Sequence, residues 1–252
     1  MQPSTQRTTP YPAHREADVV LRDGSTAHVR PVRPDDEPRL LAFLQGLSEE
    51  SRTLRFFSPA VNLAAEAHRE SHVDYEREFG LVATVGVDDH IVGHAMYAAG
   101  DADRAEVAFT VADDYRGRGL ATILLGHLAE IAAAKGIHVF EAETLPTNYR
   151  MLSVFRQSGF PVEVRTGSGE IRVSFPTALD EAAIEQFERR EQTAAVSALE
   201  AFLSPRSVAV IGASRQRGTV GGEVFHNLVA YEFCGPVYPV NPAASVVQCV
   251  PA

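Results

Sequence analysis

Cysteine is scarce in this 252-residue chain, with Cys234 and Cys249 the only two. Two thiols near one end cannot build a disulfide framework or a four-cysteine metal site, so a reducing compartment is expected. Long apolar runs are missing too. No stretch reaches the roughly 18 uninterrupted apolar residues of a membrane helix. Met1 to Asp18 is polar, with Pro3, Pro10 and Pro12 where a secretory signal would carry its apolar core. These absences predict a cytoplasmic protein, no membrane partner, and a disordered leader over residues 1–17. Positive charge is also short: Lys plus Arg is 23 against 33 for Asp plus Glu, a formal charge of -10. That balance argues against nucleic acid as a partner. There are no internal repeats and no low-complexity tracts. What remains, 45% hydrophobic and 22% charged residues, is the profile of a soluble globular protein.

Val19-Val20-Leu21 and Ala27 to Pro31 flank Asp23-Gly24, a strong hairpin signal. An acidic opening at Pro34-Asp35-Asp36-Glu37, followed by Leu40, Leu41, Phe43 and Leu44, predicts an amphipathic helix to about Gly46. Further helices are expected from Ser48 to Phe57 and from Leu63 to Glu78. Strands are read at Leu81 to Val85, Ile91 to Ala98 and Ala105 to Ala112. Ile123, Leu124, Leu128 and Ile131 keep helical spacing from Leu120 to Lys135, with Gly136 as the stop. A strand follows at His138 to Leu145, a helix at Tyr149 to Gln157 and a hairpin at Val162 to Phe175. Ala- and Glu-rich sequence over 178–203 reads as a helical linker. Val208-Ala209-Val210-Ile211 then runs into Gly212, Gly218, Gly221 and Gly222, a helix and Val237 to Val240: one βαβ unit, too short for a whole nucleotide-binding domain. The chain is therefore expected to be a fragment of a longer protein.

The chemistry concentrates at Arg116-Gly117-Arg118-Gly119-Leu120-Ala121, immediately before the best-defined helix. Glycines allow close backbone approach, a helix N-terminus offers unsatisfied N–H donors, and the arginines add charge, which together suit a pyrophosphate. This loop resembles the R/Q-x-x-G-x-G/A signature of the GNAT superfamily of acyl-CoA-dependent N-acetyltransferases, with Arg116, Gly119 and Ala121 on the signature positions. Asn148-Tyr149-Arg150-Met151, Val154-Phe155 and Gly159-Phe160 resemble the following motif of that family. The resemblance covers roughly Val19 to Phe175. It implies an α/β (α+β) fold with a mixed, mostly antiparallel sheet splayed between two strands, in a domain over 18–177.

The same resemblance implies acetyl-CoA as cosubstrate and no metal. A backbone N–H near Phe109, Thr110 and Val111 would polarise the thioester carbonyl, and these residues with Asn148 and Phe155 would line the coenzyme site. Glu106 falls where many members hold a general base. Many also place a Tyr as general acid where this chain has Phe155, which cannot donate a proton, so water is the expected donor. His68 and His72 have helical spacing that could hold zinc, but no HExxH pattern and no obvious third ligand are evident, so solvated or capping histidines are the expectation. His94 is expected to be half-buried, facing the cleft region.

Ala209 to Ser214, Gly218 to Gly222 and Pro236 to Pro242 resemble the first βαβ of the CoA-binding domain in NDP-forming acyl-CoA synthetases, so 204–252 reads as the N-terminal fragment of a Rossmann-like CoA-binding domain. A GNAT domain beside such a region resembles Pat-type protein lysine acetyltransferases, whose targets include AMP-forming acyl-CoA synthetases. That implies acetylation of a lysine on a metabolic enzyme. Two alternatives stay open at this point: acetylation of a small amine, and a non-catalytic CoA-sensing module.

Overall fold

The computed structural model describes residues 10–252 except 59, 168, 179–183, 186–188, 190, 191, 197, 198, 200–202 and 232. It divides into two compact units, Met1–Ala195 and Val196–Ala252. The expected linker over 178–203 lies largely outside the described residues, as do residues 1–9 of the leader. Residues 10–17 depart from the disorder expected of them. Ala13–Arg15 form a 3₁₀ turn, the Tyr11 hydroxyl donates to Glu16 at 2.7 Å, and Arg15 pairs with Glu130 at 2.8 Å. No described helix is long and apolar enough to cross a membrane.

Among the described residues of the first unit, eight strands form one sheet in the order β1-β2-β3-β4-β5-β6-β8-β7. They are β1 (Ala17–Val20), β2 (Thr26–Pro31), β3 (Glu78–Val85), β4 (His90–Ala99), β5 (Arg104–Val111), β6 (Val139–Thr144), β7 (Glu163–Thr166) and β8 (Ile171–Pro176). Every neighbouring pair is antiparallel except β5 with β6. The mixed, mostly antiparallel sheet read from the sequence is the one observed. Its first hairpin turns at Gly24, which has φ +80°, while Asp23 Oδ1 accepts from the Ser25 N–H and hydroxyl.

Helices α1 (Glu37–Gly46), α2 (Glu49–Phe56) and α3 (Leu63–Ser71) precede β3, and α4 (Leu120–Ala134) and α5 (Tyr149–Gln157) follow β5 and β6. Local chemistry sets their ends. Ser48 caps α2 by accepting from the Ser51 N–H, Asn62 caps α3 and Asn148 caps α5. The helix expected to reach Glu78 stops at Ser71 because Asp74 Oδ1 takes the N–H groups of Glu76, Arg77 and Glu78, turning the chain directly into β3. On one face of the sheet, α4 inserts Leu124, Leu125 and Leu128, each fully buried, at about 1.5–3 kcal/mol apiece. It lies so near β4 that a β-carbon on Gly93 would sit 3.1 Å from Leu120 and 3.2 Å from Leu124. Leu40, Phe43 and Leu44 of α1 and Ala67 of α3 meet Val82 and Ile91 in a second cluster.

The second unit is the expected βαβ: β9 (Val208–Ile211), α6 (Val220–Ala230) and β10 (Val237–Val240), with β9 and β10 parallel. Two further short strands, β11 (Val246–Val247) and β12 (Val250–Pro251), form a hairpin that sequence patterning did not reveal. A β-carbon on Gly221 would fall 2.0 Å from the Gly212 carbonyl oxygen, so glycine there is what lets α6 start against the end of β9.

Candidate functional site

β5 and β6 share three registered pairs, Arg104 with Val139, Ala105 with Phe140 and Glu106 with Glu141, and then part. Yet β5 continues to Val111 and β6 to Thr144. Beyond Glu106 the backbone of β5 therefore has no strand partner on that side, and a cleft of about 760 Å³ opens between the two strands. Its walls include Phe109, Thr110 and Val111 of β5, Asn148 and Phe155 of α5, and the loop before α4.

That loop is shaped by Gly117 (φ +75°) and Gly119 (φ +88°), the latter the N-cap of α4. Thr122 and Ile123 donate back to the Gly119 carbonyl, whereas the N–H groups of residues 117–121 have no acceptor among the described residues. Four of these open donors, at Gly117, Gly119, Leu120 and Ala121, belong to residues that line the cleft at the positive end of a 15-residue helix, a setting that suits an anion. The two arginines read as the loop's charges are otherwise engaged. Arg116 lines the cleft but pairs with Asp113 at 2.7 Å and donates to Ser51 Oγ at 2.5 Å. Arg118 does not line the cleft: it pairs with Asp23 at 2.9 Å, donates to the Asp114 carbonyl and lies over the Tyr115 ring. Arg22, from the β1–β2 turn, stands in instead. Its Cγ and Nε would lie 3.4 Å from a β-carbon on Gly119, and it has no carboxylate partner among the described residues. Arg150 at the start of α5 borders the cleft in the same unpaired state. Sequence reading passed over Arg22 because that turn meets the loop only in the folded chain, through the bond from the Arg22 N–H to the Arg118 carbonyl and the pairing of Arg118 with Asp23.

Three carboxylates line the cleft, Glu106, Asp113 and Glu143. Glu143 pairs with Arg172 at 2.6 Å. Burial pulls the Asp113 pKa upward, but the Ser48 N–H, the Ser51 hydroxyl and Arg116 outweigh it and hold this carboxyl below its ordinary value. Its bonds to Ser48 and Ser51 also fasten the loop to the N-terminus of α2. Glu106, exposed at the point where the strands part, has neither a cation nor a hydrogen-bond partner among the described residues. Glu141, opposite it, is engaged by Arg104.

Asn148 is buried, and its Oδ1 accepts from the Met151 N–H, leaving the Nδ2 donors unused. Phe155 is buried with its ring 5.6 Å from Phe109 and 5.5 Å from Phe175, an apolar wall with no proton to give. Thr110 of β5 and Thr144 of β6 carry buried hydroxyls without partners, and both line the cleft. Orphaned donors along the strands and at the helix end match the amides and pyrophosphate of a coenzyme A chain, so the residues present fit that group. Thr144 had no signal in the sequence, since one hydroxyl on a strand is unremarkable until its neighbour strand departs. His94 does not line the cleft as expected. It is 1% exposed, with Nδ1 3.3 Å from the buried Glu70. Burial raises the Glu70 pKa, but Arg55, His94 and Arg69 together drive it well below the ordinary carboxylate range.

Comparison with known proteins places both units of the chain among families. Residues 206–252 match the CoA binding domain family, and a stretch of 43 residues is 51% identical to the alpha subunit of an ADP-forming acetate–CoA ligase from Pyrococcus furiosus, covering 17% of this chain and 9% of that one. Acetyltransferase Pat of Mycolicibacterium smegmatis is 34% identical over 143 residues, 56% of this chain and 43% of that protein, so the match spans less than half of this relative. The crystal structure of the GNAT domain of S. lividans PAT superposes with a TM-score of 0.61 at 42% identity, covering 66% of this chain and 99% of that one. Residues 45–160 match the model of the acetyltransferase (GNAT) family, and the chain belongs to that family.

Proposed function

We propose that this protein transfers the acetyl group of acetyl-CoA to the Nε of a lysine on a protein acceptor, with an AMP-forming acyl-CoA synthetase as the favoured acceptor class. The observation that carries the reading is Glu106, a carboxylate without a partner among the described residues, at the apex of a cleft whose wall is a helix N-terminus with open donors. The likeness to Pat supports a protein acceptor.

Acetyl-CoA supplies an activated thioester. The cradle at 117–121, with Arg22 beside it, would hold the pyrophosphate, and Asn148 and the splayed edge of β5 would orient the rest of the chain. An attacking lysine must first lose a proton, which at neutral pH costs about 4.6 kcal/mol from its ordinary pKa. Glu106, directly or through one water, takes that proton. Phe155 and Phe109 exclude water from the other wall. With Phe at position 155, the departing thiolate draws its proton from solvent, a small demand for a thiol of pKa about 8.5.

Thiol release from acetyl-CoA, measured with a purified acyl-CoA synthetase and separately with free amines, tests the acceptor. Turnover is expected with the protein and not with the amines, and the reverse result would make this a small-amine acetyltransferase. The first unit should suffice for chemistry: a chain ending at Ala195 should acetylate a short lysine peptide within a fewfold of the full chain.

Gly119→Asp tests the cradle. The new carboxylate would enter at φ +88°, against Arg22 and beside the open donors. Calorimetry should find CoA affinity reduced at least about tenfold, the effect of one misplaced charge, with the circular dichroism spectrum retained. Unchanged affinity would remove the loop from the binding site.

A further inference from the structure

Apart from the cleft, the described residues hold one cluster of ligating side chains that no activity above uses. His68 and His72, four apart on and just after α3, meet Glu37 from the first turn of α1. One ligand atom from each lies within 4.8 Å of the other two. The His68 Nδ1 is 2.9 Å from Glu37 Oε2, the His72 Nδ1 is 3.9 Å from that same oxygen, and the two rings stack at 4.2 Å between centroids. Glu37 has no arginine or lysine partner among the described residues, so both imidazoles converge on one otherwise uncompensated carboxylate.

We propose that Glu37, His68 and His72 form a surface site for a divalent transition-metal ion, zinc above all, that ties the start of α1 to α3. Its support beyond proximity is the donor set, two imidazoles and one carboxylate, which suits zinc with water in the fourth position and not the all-oxygen shells of calcium or magnesium. The His72 Nδ1 that faces Glu37 also lies 2.9 Å from the His68 carbonyl oxygen and 3.0 Å from Ser71 Oγ, so metal binding would take that nitrogen from these two oxygens. In a tetrahedral site with bonds of about 2.0–2.1 Å the ligand atoms stand roughly 3.4 Å apart. The observed spacing closes to that by rotation of side chains at the surface, His68 being 63% and Glu37 40% exposed. The histidine pair is visible in the sequence; its third ligand comes from a helix that only the fold brings alongside.

Titration of the full chain with Zn²⁺ alone, followed by calorimetry and by the thermal midpoint, tests the site. One equivalent should bind near neutral pH and raise the midpoint. Co²⁺ in its place should develop the visible bands of a tetrahedral nitrogen and oxygen shell. In His72→Ala and in Glu37→Gln, affinity should fall at least about tenfold while the circular dichroism spectrum is retained, because these side chains lie outside the core. No binding by the wild-type chain, or equal affinity in a His68→Ala/His72→Ala double variant, would overturn the proposal. The second outcome would assign the metal to histidines elsewhere.

Discussion

Glu106→Gln should leave acetyl-CoA binding near wild type and lower turnover near neutral pH by roughly 10²- to 10⁴-fold, the contribution of a positioned general base. Glutamine keeps the size and hydrogen-bonding reach of the side chain and removes only its basicity. No neighbour is disturbed, since Glu106 has no partner to lose among the described residues. Steady-state rates with a lysine peptide, together with calorimetry for the coenzyme, separate the two effects. The pH profile sharpens the test. The wild-type rate should rise with pH through an ionisation that the variant lacks, and the deficit should narrow at high pH as more acceptor lysine is neutral without help. A wild-type rate with an unchanged profile would make Glu106 structural. His94 would not inherit the role, being sealed beneath the sheet against Glu70.

Asp36→Asn should cost about 3–5 kcal/mol of stability, the usual price of stranding one member of a buried ion pair. Arg30 and Asp36 are 2% and 0% exposed and meet through two bonds of 2.6 and 2.7 Å. The same carboxylate accepts from the Arg33 N–H and pairs with Arg39, both at 2.8 Å. It therefore fastens the turn before α1 to β2. For a unit of this size the loss corresponds to a fall in Tm of roughly 6–20 °C, measurable by calorimetric melting; a shift within error would show the pair to be dispensable. The acid limb follows from the same group. Burial raises the Asp36 pKa, but Arg30, the Arg33 N–H and Arg39 more than offset it, and the folded value lies below the ordinary one. Its contribution is thus complete above the ordinary Asp range and disappears as pH falls through the lower, folded pKa. Wild type should lose stability in that window, and the Asn variant should lack this part of the acid transition.

Features whose causes lie within a few residues were legible in advance. Asn148 caps a helix that runs over Tyr149–Gln157 as the spacing predicted, and Gly119 and Gly136 take the positive φ their positions demand. The exception at α3 is instructive. Its apolar spacing continues past Ser71, but Asp74 offers three backbone N–H groups a better acceptor than the next helical carbonyls would.

The site itself divides the same way. The sequence by itself determined the glycine loop, the helix behind it, the carboxylate on β5 and the phenylalanine at 155, because each is a residue type at a fixed distance along one element. Only the tertiary structure decided which charges those residues keep. Arg116 and Arg118 are adjacent to the loop in sequence, yet Asp113 and Asp23 engage them, while Arg22 arrives from a distant turn to lie over Gly119. Glu106 stands apart from Glu141 and Glu143 for the same reason: those two face arginines on neighbouring strands, and Glu106 is the last residue before the ladder opens. Ion pairing and strand register depend on what the folded chain places within a few ångströms, and spacing along the sequence carries no record of that.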